Sequence, residues 1–256
     1  MSAFQQSKTT CAVVVGASRG IGLEFVRQFL QMPEMGIVFA AARQPIASPD
    51  LAELATQAPD RLCLVPMDVT DEAAIAAGVA KISAIAPQVH WVVNCVGLLH
   101  EGELQPEKSL KQLNPDHLLR YFQVNSIATA LLAKHLLPLL KHGDRSVFAS
   151  ISAKVGSIGD NQLGGWYGYR ASKAALNMFV RTAAIEYRRR NPNTIVVALH
   201  PGTTDTDLSK PFQRNVPPDK LFPPERTVQQ LLGVMNNLTP QDSGEFFSWN
   251  GDRLPW

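Results

Sequence analysis

The sequence predicts an α/β fold, a doubly wound parallel sheet of about seven strands flanked by helices on both faces. Two observations point there. Short apolar runs alternate with helix-like periodic stretches along most of the chain. The first run, Ala12–Val15, is continuous and largely β-branched, as a parallel strand buried on both faces should be, and it breaks directly into a glycine-spaced turn.

Taken in order, the first strand leads through Gly16 into a helix over Gly20–Gln31, with Ile21, Phe25 and Phe29 on one face. The second strand is Ile37–Ala42. Ser48 and Pro49 then open a helix to Gln57, the serine as N-cap and the proline at the first helical position. Leu62–Pro66 is the third strand, alanine-rich Asp71–Ile85 a helix, and Trp91–Asn94 the fourth strand. A polar excursion, His100–Leu113, precedes a long helix over Pro115–Leu140. Ser146–Ile151 is the fifth strand, and a glycine-rich loop, Gly156–Gly165, opens onto a helix from Trp166 to Arg189. After the sixth strand, Thr194–Leu199, comes a proline-rich stretch, Pro201–Pro224, too long to be a passive connection. It follows a strand's C-terminal end, where open sheets bind ligands, so residues 201–225 read as a substrate lid. A helix over Thr227–Leu238 and a strand over Glu245–Trp249 finish the fold. No linker or repeat interrupts the chain, so 1–256 reads as one domain.

Composition narrows the function. The 256 residues are 45% hydrophobic and 18% charged, with a net charge of +2. Such a balance supplies no strong field for nucleic acid or a membrane surface. The polar start, Met1–Lys8, lacks an apolar signal core, and the apolar helix near Ile127–Leu140 is interrupted by Lys134, His135 and Pro138. Cys11, Cys63 and Cys95 fall in predicted strands and read as reduced core residues, which points to the cytoplasm. The histidines (90, 100, 117, 135, 142 and 200) show no metal-ligand spacing, so no metal is expected.

The turn Gly16-Ala-Ser18-Arg19-Gly20-Ile21-Gly22 carries the first chemistry. A strand–turn–helix with glycines at 16, 20 and 22 lets backbone approach a phosphate and aims helix N–H groups at it. The same letters also satisfy Gly-x-Ser-x-Gly, a hydrolase nucleophile elbow, which no other feature of the chain requires. At the end of the second strand an NAD site offers an acid to the ribose; here the residue is Arg43, with Arg19 in the glycine turn. Two guanidinium groups suit a 2′-phosphate, so NADP(H) is preferred over NAD(H). Asp68, followed by Val69, suits the adenine amino group, or else caps the helix that follows. Tyr169 and Lys173 lie four apart and share a helix face, so the ammonium can tune the phenol's acidity for proton transfer. The ordinary reading of Tyr-x-x-x-Lys alone is a surface pair.

In combination these stretches resemble the short-chain dehydrogenase/reductase family, a single-domain Rossmann fold. The glycine motif is followed in the family's order by Asn94-Cys-Val-Gly97, Asn125, Ser150-Ile-Ser152-Ala-Lys-Val-Gly156, Tyr169–Lys173 and Pro201-Gly202, with Thr204 and Thr206 beyond. The stretches Gly156–Asn161 and Gly164–Lys173 further resemble the C-factor and Sniffer-like carbonyl reductase branch. The resemblance implies an NADP(H)-dependent oxidoreductase that reduces an aldehyde, ketone or quinone by hydride transfer. It implies Tyr169 as proton donor, Lys173 on the nicotinamide ribose, a serine polarising the carbonyl, and Asn125 holding a relay water. It also implies a homodimer or homotetramer built on the helices at 115–140 and after Tyr169. The family places its serine three residues before Gly156, where this chain has Ala153; Ser152 is the neighbouring candidate. That departure keeps a second reading open, a non-catalytic or weakly catalytic NAD(P)-binding signalling or sensor protein of the C-factor type. Trp166, Leu98, Leu99 and Phe212 are candidates for an apolar substrate pocket.

Overall fold

A computed structural model describes residues 10–256; the polar start at residues 1–9 lies outside the described residues. The sheet strands are β1 (Thr10–Val15), β2 (Met35–Ala42), β3 (Leu62–Pro66), β4 (Trp91–Asn94), β5 (Ser146–Ile151) and β6 (Thr194–His200). A short parallel pair, β7 (Thr203–Thr204) with β8 (Leu221–Phe222), stands apart, and β9 (Phe246–Ser248) returns to the sheet edge. The seven-stranded order is β3-β2-β1-β4-β5-β6-β9, parallel throughout. The predicted doubly wound sheet is therefore present. Its order reverses between β1 and β4, which opens a crevice at their C-terminal ends, the place where such sheets bind ligands.

Strand alternation divides the core in two. Val13 and Val15 enter one layer with Leu132, Leu136 and Leu176, and Ala12 and Val14 enter the other with Phe25, Phe29 and Leu231. The first layer lies under α3 (Glu72–Ile85), α5 (Ala128–Leu140) and α6 (Tyr167–Arg190). The second lies under α1 (Gly20–Gln31), α2 (Pro49–Gln57) and α7 (Pro224–Asn237). Both faces are dry, which is why β1 reads as an unbroken apolar run rather than an alternating one.

Four local features differ from the sequence expectation. The helix at 115–140 is not one α-helix: α4 (Pro115–Phe122) passes through a π turn at Gln123–Ile127 before α5. Asn114 caps α4 by accepting from the amides of Asp116 and His117. The π turn, a wider winding common at functional sites, centres on Asn125. Ser48 stands at the N-cap of α2 but its hydroxyl donates to Ser18 O at 2.7 Å, so it ties α2 to the glycine turn instead of capping. The stretch after Pro201 is partly ordered, holding β7, β8 and two tight 3-10 segments at 210–215 and 218–220. Cys95 lies just past β4 rather than within it.

The glycine turn is built by close approach. Gly16 and Gly20 adopt φ of +81° and +55°, a left-handed backbone that side chains disfavour. A Cβ at Gly22 would lie 2.1 Å from Gly16 O, inside any contact distance. Gly22→Ala is expected to cost about 3 kcal/mol of stability, read from the urea midpoint and slope, through the overpacking it forces. A stability loss below a few tenths of a kcal/mol would show that the turn relaxes freely.

Candidate active site

Helix α6 presents Tyr169, Lys173 and Asn177 along one face toward the C-terminal end of β5. Tyr169 is 6% exposed and Lys173 2%. The Lys173 ammonium donates to Ile151 O at 2.9 Å and lies 5.8 Å from the centre of the Tyr169 ring. Gly156 lets the chain leaving β5 pass against this face: a Cβ there would meet Lys173 Cβ at 2.7 Å. Gly97 leaves a gap on the other side, bordered by Lys173 Nζ at 3.7 Å and Asn125 Oδ1 at 4.0 Å from where its Cβ would stand. The structure thus brings together Gly97, Asn125, Tyr169 and Lys173.

Burial dominates the protonation of this pair. It raises the Tyr169 phenol above its ordinary value. It lowers Lys173 to about 8, an effect that the nearby Cys95 thiol partly opposes. The shift from 10.5 to about 8 corresponds to roughly 3 kcal/mol. A single hydrogen bond from an ammonium contributes about 1.5–3 kcal/mol, so the bond to Ile151 O does not fully replace lost hydration. Near pH 7 the resting pair is accordingly a neutral phenol beside an ammonium.

The side chain of Asn125 is fully engaged. It accepts from Leu98 N at 2.7 Å and donates to Leu98 O at 2.9 Å and Ser172 Oγ at 3.0 Å. It pins the π turn to the loop after β4. Asn94 acts similarly at the end of β4, donating to Thr129 Oγ1 at 2.9 Å and accepting from Val96 N.

Two hydroxyls named from the sequence are engaged by partners other than Tyr169 and Lys173. Ser152 N still bonds Leu199 O at 2.7 Å, so extended pairing and its alternation continue one residue beyond β5. The Ser152 hydroxyl therefore turns to α6 and donates to Asn177 Oδ1 at 2.7 Å, while Ala153 packs into the cluster containing Tyr169. The hydroxyl of Thr204 is buried and shares a hydrogen bond with Thr227 at 2.9 Å, turned toward α7. Thr206 does lie over the glycine turn: its methyl would be 3.1 Å from a Cβ on Gly20.

The remaining candidates rim the crevice. Arg43 is exposed at the end of β2, and Arg19 in the glycine turn bridges to Asp207 at 3.5 Å. Asp68 accepts from Thr70 N at 2.9 Å and Thr70 Oγ1 at 2.7 Å, and these bonds, ahead of the Arg43 charge, hold its carboxyl below the usual carboxylate pKa. The cap of α3 falls to Asp71, which accepts from Ala73 N, so Asp68 is not the cap. Val69 is buried beneath it, Ile21 packs on the inner layer, and Ser18 O holds Ser48. Gly202, after Pro201, has φ of +73°, and a Cβ there would strike Phe222 at 2.7 Å. This glycine-lined, cation-rimmed turn offers the backbone donors and positive charge that a dinucleotide phosphate needs.

Beside Tyr169 the packed cluster is apolar and aromatic: Leu98, Leu99, Tyr121, Trp166, Ala153 and Phe212. The Trp166 ring meets Tyr169 edge-on at 6.1 Å and Phe212 at 5.1 Å. Sequence reading missed Tyr121, whose hydroxyl donates to Leu99 O at 2.6 Å and whose ring stands 6.3 Å from Tyr169. Its helical spacing marks only a buried face and carries no sign of its partner. Sequence spacing also missed a His90–His142–Asp144 group at the opposite, N-terminal end of β4. There His90 Nδ1 accepts from Cys11 N and His142 Nε2 bonds Val89 O, which engages one ring nitrogen of each.

Comparison with known proteins agrees with this geometry. A structure of NADPH-bound carbonyl reductase from chicken fatty liver superposes with a TM-score of 0.86 at 31% identity, covering 97% of this chain and 99% of that one. The carbonyl reductase Sniffer of Caenorhabditis elegans, described as putative, gives 0.79 at 27% identity over 97% and 100%. The C-signal protein of Myxococcus xanthus is 34% identical over 54% of this chain and 78% of its own length. Residues 10–217 match the short chain dehydrogenase family, and the chain belongs to it.

Proposed function

We propose that this chain reduces the carbonyl group of a small apolar or aromatic aldehyde, ketone or quinone, with NADPH as the hydride source and Tyr169 as proton donor. The observation that carries this reading is the buried Tyr169–Lys173 pair set beside an apolar, aromatic cluster at the C-terminal end of β5. Reduced nicotinamide, when bound, supplies the hydride. The chain's own residues do the rest. Tyr169 enters the reaction protonated, as a donor must, and its hydroxyl proton passes to the carbonyl oxygen. The Lys173 ammonium then faces the phenolate and stabilises it. Asn125 fixes the π turn, whose backbone supports the relay that re-protonates Tyr169. Arg19 and Arg43 favour the 2′-phosphate, in keeping with the NADPH bound to the chicken enzyme. The segment at 201–225, already folded over the glycine turn through Thr206, serves as the lid. Exposed Met178, Phe179 and Ile185 on α6 suit a homodimer or homotetramer interface. No described helix is long and apolar enough to cross a membrane, and Cys11, Cys63 and Cys95, set in or just past strands, fit a cytoplasmic protein.

One observation favours a second reading. Ala153 places a methyl where the family has a hydroxyl, so the carbonyl loses one polarising donor; a sensor of C-factor type would tolerate that loss. Purified protein is expected to oxidise NADPH with aromatic ketones or quinones, and Arg43→Ala to raise KM for NADPH by roughly tenfold or more with little change for NADH. NADPH binding without turnover over a broad carbonyl panel would support the sensor reading instead. Ala153→Ser is expected to raise kcat by about tenfold, since it restores a donor aimed at the developing oxyanion. Ser152→Ala should leave kcat within about threefold. A large loss in Ser152→Ala would mean the serine reaches the substrate.

A further inference from the structure

Glu107 belongs to the polar excursion between β4 and α4, yet it is only 2% exposed. A carboxylate is rarely buried without a task. Its Oε2 accepts from Gly168 N at 3.0 Å, and its backbone carbonyl accepts from Trp166 N. These two amides belong to the start of α6, which has no side-chain cap of its own. Glu107 supplies the cap from 61 residues upstream. Its other oxygen, Oε1, is buried without a hydrogen-bond partner among the described residues.

The grip explains a backbone anomaly. Trp166 adopts φ 52° and ψ 43°, and among the described residues it is the sole non-glycine with positive φ. A bulky residue stays left-handed only when its surroundings over-determine it. Here the Glu107 carbonyl holds its amide, and the Trp166 ring is held edge-on between Tyr169 and Phe212. Gly168 completes the fit: a Cβ there would lie 2.5 Å from Tyr121 Cδ2, 2.9 Å from Glu107 Oε1 and 3.0 Å from Leu118 Cδ2. The carboxylate therefore lies flush against the helix one residue before Tyr169.

We propose that Glu107 is a positioning residue: it clamps the first turn of α6, holds Trp166 left-handed against Tyr169, and so fixes the direction of the Tyr169 hydroxyl. The inference rests on the reading of Tyr169 as proton donor. Glu107 touches no reacting atom; it acts through Gly168 and Trp166.

The test compares Glu107→Ala, Glu107→Gln and Glu107→Asp with Tyr169→Phe in the full chain, measuring NADPH dissociation constant, KM and kcat with one accepted ketone. Alanine removes the acceptor and should lower kcat by roughly 10- to 100-fold, with NADPH affinity little changed. Glutamine keeps an oxygen for Gly168 N and should return kcat to within about threefold of the parent. Should the alanine variant fail to fold, aspartate decides: one methylene shorter, it should bind NADPH normally yet lose kcat. Full kcat in the alanine or folded aspartate variant overturns the proposal while an inactive Tyr169→Phe leaves the donor reading intact. Loss of NADPH affinity and kcat together, without rescue by glutamine, also overturns it, since that marks a general structural role. An active Tyr169→Phe beside an impaired Glu107→Ala overturns both readings.

Discussion

Dehydration of one helix face is the constraint on which the site depends. Tyr169 and Lys173 are both almost fully buried, and burial moves them in opposite directions, the phenol toward a higher pKa and the ammonium toward a lower one. Water would hold the two at their ordinary values. In the dry crevice the phenol keeps its proton until an acceptor arrives, and the ammonium stays charged at neutral pH by a margin of about one unit. The single bond from Lys173 to Ile151 O orients that charge and offsets some of its desolvation.

The fold is arranged to keep that face dry and fixed. The sheet supplies Ile151 O at the end of β5, glycines at 97 and 156 let loops approach Lys173 from two sides, and the π turn at Asn125 locks the loop after β4. These elements decide where two side chains stand, which is most of what a protein adds to chemistry that a cofactor carries. Ala153, packed in the same cluster as Tyr169, offers no hydroxyl there.

Much of this was legible in residue order. Parallel strands buried on both faces announce themselves as β-branched runs, and the glycines at 16, 20 and 22 mark a turn with little room for a side chain. The shared face of Tyr169 and Lys173 was readable because helix periodicity places residues four apart on one side. The direction of the Ser152 side chain was not, since one residue of extended pairing beyond β5 decides it, and that pairing is made with Leu199, 47 positions away. The π turn and the role of Glu107 were hidden for the same reason. Each is fixed by a partner distant in sequence, and local patterns carry no mark of it.

The pH dependence of kcat/KM for carbonyl reduction tests the central pairing most directly, because it reports groups ionising in the free protein. A phenol donor supported by an ammonium predicts a falling limb near pH 8, as Lys173 loses its proton and the phenolate its counter-charge, with low activity and no such limb in Lys173→Met. A flat profile from pH 6 to 10 in the parent protein, or full activity in Lys173→Met, would contradict it.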